Sequence, residues 1–382
     1  MQRRDNGMGT IYQRENGTWV GRIKEKGKDG KTKYKCFSGK SQAEVKRKIR
    51  EFNKLTDAID PTEVSVKTYM DNWLLNAKKG KIKDSSYDRL ENTAKHQVIP
   101  FLGDFHLSEV STADIDSVLK TLKENGLSYS SVKKAYDCIN AMFTYAVKKR
   151  DITVNPAALV EMPHKSEFEK KEIRYFTPAE AARIIEECGR LYSTGTPVYP
   201  YGDAFVLTMN TGLRIGELLG LQKSDIDFEK REMHIRRNAQ IVKNRNADGS
   251  RSTGRRLVPS TTKTYSGNRR IALNNTAYEA AERLCRSHPE SEYVVRGANG
   301  NPIMHERLER SFYRVLRNCD IEPTGLHALR HTFASMLFAN GTDIKTISTL
   351  LGHSSVKITI DTYVHLLQDT GREAVAQLEG SI

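Results

Sequence analysis

The spacing of apolar residues changes twice along this chain of 382 residues. Alternation with a period of two builds half-buried strands, spacing of three and four builds amphipathic helices, and a chain that switches between them divides into separately packed parts. The first segment alternates. IYQREN, GTWVGRIKEK and TKYKCFSG read as strands joined at Asn16-Gly17 and Lys28-Asp29-Gly30, where glycine accepts the positive φ of a tight hairpin. A three-stranded antiparallel sheet is expected, followed by a helix opened by the capping box Ser41-x-x-Glu44 and carrying Val45, Ile49 and Phe52. Alternation is taken to turn Trp19, Ile23, Tyr34 and Cys36 toward that helix and Arg22, Lys24, Lys33 and Lys35 away from it. Such a basic sheet face can lie in a DNA groove.

From about residue 64 to 160 the spacing is helical in VKTYMDNWLLNAKK, SYDRLENTAKHQVIPFL, TADIDSVLKTLKEN and SYSSVKKAYDCINAMFTYAVKKR, which predicts a bundle of four or slightly more helices. Asn155-Pro156 and the charged stretch MPHKSEFEKK then read as a linker, because proline blocks helix continuation and the charges cannot build a core. Beyond it the pattern is mixed. Thr177-Pro178 caps a helix, EMHIRRNAQIV, NRRIAL and EYVV read as strands, and HERLERSFYRVLRNC, HALRHTFASMLFA, DIKTISTLLG and VKITIDTYVHLL read as helices. The expected organisation is a sheet-plus-helix domain over 1–62, a helical domain over 63–161, a linker over 162–172, a mixed but mainly helical domain over 173–365 and a tail over 366–382.

Charge is unevenly distributed over these parts. The chain has 61 Lys and Arg against 47 Asp and Glu, a formal charge of +14. Residues 1–50 carry +10 and residues 236–270 carry +9, so the remainder is faintly acidic. Two basic islands point to a polyanionic partner, since phosphates respond only to charge within a Debye length of about 10 Å. No apolar run approaches the ~18 residues of a membrane span. Five scattered cysteines without C-x-x-C spacing indicate neither disulfides nor a zinc knuckle, and reduced thiols in cytosol are expected.

Four short stretches carry chemistry. In TGLRIGE, Gly212 can end a helix in the left-handed conformation, Arg214 opens the next, and Glu217 lies one turn on to fix its guanidinium. In HALRH, three residues advance roughly 300°, so His327 and Arg330 share a face. His327 and His331 have metal-ligand spacing, but a zinc protease helix would need Glu where Ala328 stands. In LLGH, Gly352 stops a helix and leaves His353 in a turn, and in DTYVH a tyrosine, Tyr363, follows ten residues later. Singly, an ion pair, a capping histidine and a packed tyrosine would account for them.

In order and content the four resemble the Arg, His-x-x-Arg, His and Tyr boxes of the tyrosine recombinase, or phage integrase, family. The resemblance spans about 173–382. The helical segment before it is similar to that family's core-site-binding domain, and the N-terminal unit is similar to the arm-binding domain of integrases from temperate phages and conjugative transposons of Gram-positive bacteria. It implies Arg214 and Arg330 as a phosphate clamp, His327 and His353 as phosphate-contacting and proton-handling groups, Tyr363 as nucleophile and Glu217 in support. It also places a lysine near a β-hairpin, with Lys263 chosen over its rival Lys243. Arg255, Arg256 and Arg269 of the second basic island are expected on DNA beside the sheet residues.

The chemistry of this set is coherent without metal or cofactor. Two arginines can bind nonbridging phosphate oxygens bidentately, and a phosphotyrosyl ester conserves bond energy. A tyrosine of ordinary pKa near 10 needs a base or a cationic site, for which His327 is the acceptor and Lys263 the acid. The resemblance implies a site-specific DNA recombinase acting through a 3′-phosphotyrosyl link and a Holliday junction in integration and excision of a mobile element. It implies a homotetramer on core and arm sites, an accessory excision or DNA-bending protein, a tail exchanged between protomers, and a cytoplasmic, nucleoid-associated place in a bacterial cell. A type IB topoisomerase and a non-catalytic DNA-binding regulator are the alternatives. The first has no need of an arm domain, and the second no need of a full set of competent side chains.

Overall fold

A computed structural model describes residues 10–15, 17–26, 32–56, 64–169, 172–246, 251–261, 267–297 and 303–363. The chain divides into two compact units, one comprising Met1–Ile82 with Arg89–Glu169, the other Lys83–Asp88 with Lys170–Ile382.

The first unit begins with antiparallel strands β1 (Thr10–Gln13), β2 (Trp19–Lys26) and β3 (Thr32–Gly39) in the order β1-β2-β3, packed on helix α1 (Gln42–Thr56). Ser41 Oγ accepts the Glu44 N–H at 3.2 Å, but the Glu44 carboxylate reaches back to Lys40 N at 2.9 Å, one residue earlier than a reciprocal box requires. The strand faces differ from expectation. Gly21 abuts α1, where an added Cβ would lie 2.6 Å from Val45 and 2.5 Å from Ile49. Its cross-strand partner is Phe37, while Arg22 pairs with Cys36, Lys24 with Tyr34, Ile23 with Lys35 and Glu25 with Lys33. Partners share a face, so Tyr34 and Cys36 belong with Arg22, and Lys35 alternates with them on the face of Phe37. Arg22 stacks 3.9 Å over the exposed Tyr34 ring. The side chains of Ile23, Lys24, Lys33 and Phe52 lie outside the described residues. A one-residue difference in register inverts every side chain of a strand, and nothing in the alternation of β3 alone fixes that register.

The helical part contains α2 (Val66–Trp73), extended by a π turn (Leu74–Lys78), and α3 (Asp84–Thr93), which runs through another π turn (Ala94–Val98) into α4 (Ile99–Leu102). α5 (Thr112–Glu124) and α6 (Tyr129–Lys149) complete it. Ser111 and Asp114 form a reciprocal capping box on α5, and α6 ends at Arg150 with φ 63°. Met70, Trp73, Ile115, Leu119, Ile139, Met142 and Phe143 are among its buried residues. The charged stretch after Asn155-Pro156 is partly ordered: Lys165–Glu167 form a 3₁₀ turn, Glu167 pairs with Lys123 at 2.6 Å, and Phe168 stands edge-on to Tyr129 at 5.5 Å.

The second unit packs α7 (Pro178–Cys188), α8 (Gly202–Thr211) and α9 (Ile215–Gly220) with a small sheet, β4 (Ile226–Asp227), β5 (Glu232–Ile235) and β8 (Arg269–Ala272), in the order β4-β5-β8. β6 (Arg237–Arg245) and β7 (Arg251–Thr261) form a separate basic hairpin. α10 (Asn275–Ser287), α11 (His305–Asn318), α12 (His327–Ala339) and α13 (Ile344–Leu351) follow, and residues 356–363 are again helical. Thr177 caps α7 reciprocally with Glu180, as its sequence indicates. EYVV is no strand: it makes one bridge, Gln222 to Tyr293, and Val294 N–H donates to Leu221 O at 3.0 Å. Its two valines are buried by packing in the core rather than by a ladder. That core runs from Phe176 through Phe205, Leu218, Ile271 and Leu284 to Phe312 and Leu329.

Candidate active site

Three helix ends and one strand meet where the boxes converge. Gly212 ends α8 with φ 64°, a conformation that disfavours any side chain, and its carbonyl accepts Arg330 Nη1 at 2.6 Å. Arg214, two residues on, sits at the start of α9. Its backbone N–H and Nη1 donate to the two oxygens of Glu217 at 2.9 and 2.8 Å, and its Nη2 donates to Gly352 O at 2.9 Å. Gly352 in turn ends α13 with φ 65°.

Glu217 is 3% exposed and receives a second guanidinium, that of Arg269, at 3.1 and 2.9 Å. Burial alone would raise its carboxyl, but Arg269 and Arg214 outweigh burial and hold it below the ordinary carboxylate range. Arg269 Nε donates to Leu350 O at 2.6 Å and Arg330 Nη2 donates to Leu351 O at 2.7 Å. Arg269, Arg330 and Arg214 thus take the carbonyls of Leu350, Leu351 and Gly352 in succession. These are the unpaired acceptors at the negative end of α13, where cations are favoured.

Arg330 is 2% exposed, and loss of water together with nearby Arg214 lowers its proton affinity. His327, at the start of α12, is exposed, yet desolvation on its inner side and the charges of Arg330 and Arg214 lower its pKa. His353 Nδ1 lies 2.8 Å from Thr359 Oγ1, and burial followed by the Arg330, Arg214 and Arg269 charges presses its imidazole down to about 3. Both rings are therefore neutral at pH 7, available to accept or pass a proton.

Tyr363 is 1% exposed, packed with Ala334, Phe338, Ile347 and Leu351. Its hydroxyl lies 2.8 Å from His331 Nδ1. Burial, opposed by Arg330, pushes the phenol up to about 12, while burial, His327 and Arg330 push His331 down to about 4. With the imidazole neutral, the phenol is the donor in the tautomer that carries its proton on Nε2. His331 stands edge-on to His327 with ring centroids 4.8 Å apart, so its spacing serves the tyrosine. Among the described residues no group of three or more His, Cys, Asp or Glu side chains is arranged to hold a metal ion.

The remaining expected site residues have different fates. Lys263 lies outside the described residues. Its rival Lys243 sits in β6, with its backbone N–H on Asp88 Oδ2 at 2.8 Å. Arg255 and Arg256 are exposed on β7 and pair with Glu306 and, at 3.1 Å, Asp84. Arg269, expected on DNA beside them, is placed differently. It is 7% exposed and spends its donors on Glu217 and Leu350. Its signal was present in the strand: Arg269, Ile271 and Leu273 alternate inward, with Arg270 and Ala272 outward.

A model of the phage integrase family matches residues 174–369, and one of the phage integrase central domain matches residues 66–162. Over 371 residues the chain is 26% identical to a XerC-like tyrosine recombinase of Caldanaerobacter subterraneus subsp. tengcongensis, covering 92% of each. A solved structure of the Tn1549 transposon integrase in complex with transposon right end DNA is 25% identical, with a TM-score of 0.63 over 83% of this chain and 100% of that one. A lambda integrase tetramer bound to a Holliday junction, 18% identical with a TM-score of 0.56 over 94% of this chain and 96% of that one, shares the fold. The chain belongs to the phage integrase family. Its activity is that of a tyrosine-type site-specific recombinase.

Proposed function

We propose that this enzyme cuts and rejoins double-stranded DNA through Tyr363, integrating and excising a mobile element. The observation that carries the assignment is the convergence of Arg214 and Arg330 on successive carbonyls of one helix end, with His327 and His353 near them. Each of the two guanidinium groups uses two of its five N–H donors on protein atoms, which leaves donors for a phosphate. In the reaction the Tyr363 oxygen bonds to phosphorus and the bond to the 5′ oxygen breaks. The arginines neutralise the charge that gathers on the nonbridging oxygens. The phenol proton passes to a neutral histidine, and Lys263 protonates the departing 5′ oxygen. The free 5′ hydroxyl of a second duplex reverses the step, and two rounds pass through a Holliday junction.

Four protomers on two duplexes suit that exchange, in keeping with the tetrameric lambda neighbour. The N-terminal sheet supplies an arm-binding face on which Arg22 and Tyr34 are the described anchors, and Arg255 and Arg256 can trade their surface carboxylates for phosphates. An accessory bending protein and the bacterial nucleoid complete this reading; among the described residues no helix is long and apolar enough to cross a membrane. Trapping on a nicked suicide substrate tests it. Wild type should form a covalent 3′ adduct, Tyr363→Phe should bind the site and form none, and an adduct with Tyr363→Phe would overturn the assignment.

A further inference from the structure

We propose that Arg269 is a positioning residue for the phosphate clamp, setting where Arg214 and Arg330 present their free donors. This inference rests on the roles given above to Arg214, Arg330 and Tyr363. Arg269 grips Glu217 with both terminal nitrogens, at 3.1 and 2.9 Å, and both partners are buried, with side-chain exposures of 4% and 3%. Paired forks of this kind fix orientation as well as distance, which a single ammonium cannot do. The Glu217 oxygens so held also receive the backbone N–H and Nη1 of Arg214. A shift of Glu217 therefore moves Arg214.

The third donor of Arg269 works on another element. Its Nε holds Leu350 O at 2.6 Å, and the next two carbonyls along α13 hold Arg330 and Arg214. Arg269 thus holds from the protein side both the carboxylate that orients Arg214 and the helix end to which Arg214 and Arg330 are tied. Charge points the same way. Two guanidinium groups, those of Arg214 and Arg269, pair with one buried carboxylate, and a third, that of Arg330, feels its charge without bonding to it, which leaves an excess of two positive charges. Such an excess is costly until an anion arrives, and the charge accumulating on a phosphodiester undergoing attack is of the matching sign. Arg269 faces protein on each described donor, so its influence on that charge runs through the two arginines.

The test compares single-turnover adduct formation on nicked core-site duplexes carrying either the normal scissile phosphodiester or a methylphosphonate, which lacks one charged oxygen. Variants are Arg269→Lys, which keeps the charge and loses the fork, and Arg269→Gln, which buries no unpaired ammonium. Arg270→Lys, on the exposed side of β8 with Glu232, is the control and should cleave as wild type. A misplacement of about 1 Å costs on the order of 100-fold in rate. The Lys and Gln variants should therefore cut the phosphodiester about 100-fold more slowly at saturating DNA, with site binding within threefold of wild type. Their deficit on methylphosphonate should be less than about tenfold, because a clamp that places charge badly loses least when less charge needs placing. The ratio of the two rates is independent of how much enzyme is folded. An unchanged ratio would overturn the proposal even if both variants were unstable, and so would wild-type cleavage by Arg269→Lys. If instead Tyr363→Phe formed the adduct, the nucleophile assignment would have failed rather than this inference.

Discussion

Substituting Gly212 by alanine separates two demands that the structure places on one residue. The backbone there has φ 64°, and the added methyl would lie 2.4 Å from Phe333 Cδ1 and 3.1 Å from Leu351 Cδ2. Left-handed backbone costs a non-glycine residue about 1 to 2 kcal/mol. Forcing a methyl into filled space adds roughly 1 to 3 kcal/mol more. The total is about 2 to 5 kcal/mol, and at roughly 2 to 4 °C per kcal/mol for a unit of this size the melting temperature should fall by about 4 to 20 °C. Gly341→Ala is the matched control in the same unit, since φ is 74° and nothing lies within 4 Å of its added Cβ. It should lose the backbone part alone. Calorimetry of the two variants gives the packing part by difference, read from the transition of the second unit. The phenylalanine that must yield is on α12, close to Arg330, whose Nη1 rests on the Gly212 carbonyl. Cleavage should accordingly fall more in Gly212→Ala than in Gly341→Ala at a temperature where both are folded. Equal melting temperatures for the two alanine variants would refute the close approach on which the reasoning depends.

Two other perturbations address the histidines and the tyrosine. His331 and His353 are held at about 4 and about 3, below the histidine value of 6.5, so the unfolded chain takes up protons first as pH falls. Their contribution is complete above pH 6.5 and is lost between there and about pH 3; linkage, discounted for partial exposure, gives about 2 kcal/mol lost by pH 5. Urea midpoints at pH 7 and pH 5 measure it, and a His331→Gln/His353→Gln double variant with the same acid loss as wild type would show that other groups are responsible. His331→Phe keeps a ring but leaves the buried Tyr363 hydroxyl without its partner, for about 1 to 2 kcal/mol of destabilisation. Urea midpoints of this variant at pH 7 measure the loss, and stability equal to wild type would mean that the hydroxyl does not depend on His331.

What could be read in the sequence and what could not divides along one physical line. Thr177, Gly212 and Gly352 act through their own neighbours in the chain, so turn and cap chemistry disclosed the ends of α7, α8 and α13. Helical spacing disclosed α11 and α12 for the same reason. The register of β3 against β2 depends on a partner strand, and the expected basic face mixed two sides of the sheet because alternation is silent about phase. EYVV has strand composition, yet it is buried by the core without pairing into a sheet.

The site shows the same division more sharply. The residue types of the four boxes were legible, but their supports are long-range: His331 meets Tyr363 across 32 positions, and Arg269 meets Glu217 across 52 and Leu350 across 81. A surplus of arginine reads as affinity for DNA when only totals are available. In the fold, one of those arginines is turned inward by strand alternation, and the buried carboxylate of Glu217 gives it somewhere to go. Position on the inward face of β8, rather than charge, therefore decides that Arg269 supports the clamp while Arg270 beside it faces solvent with Glu232.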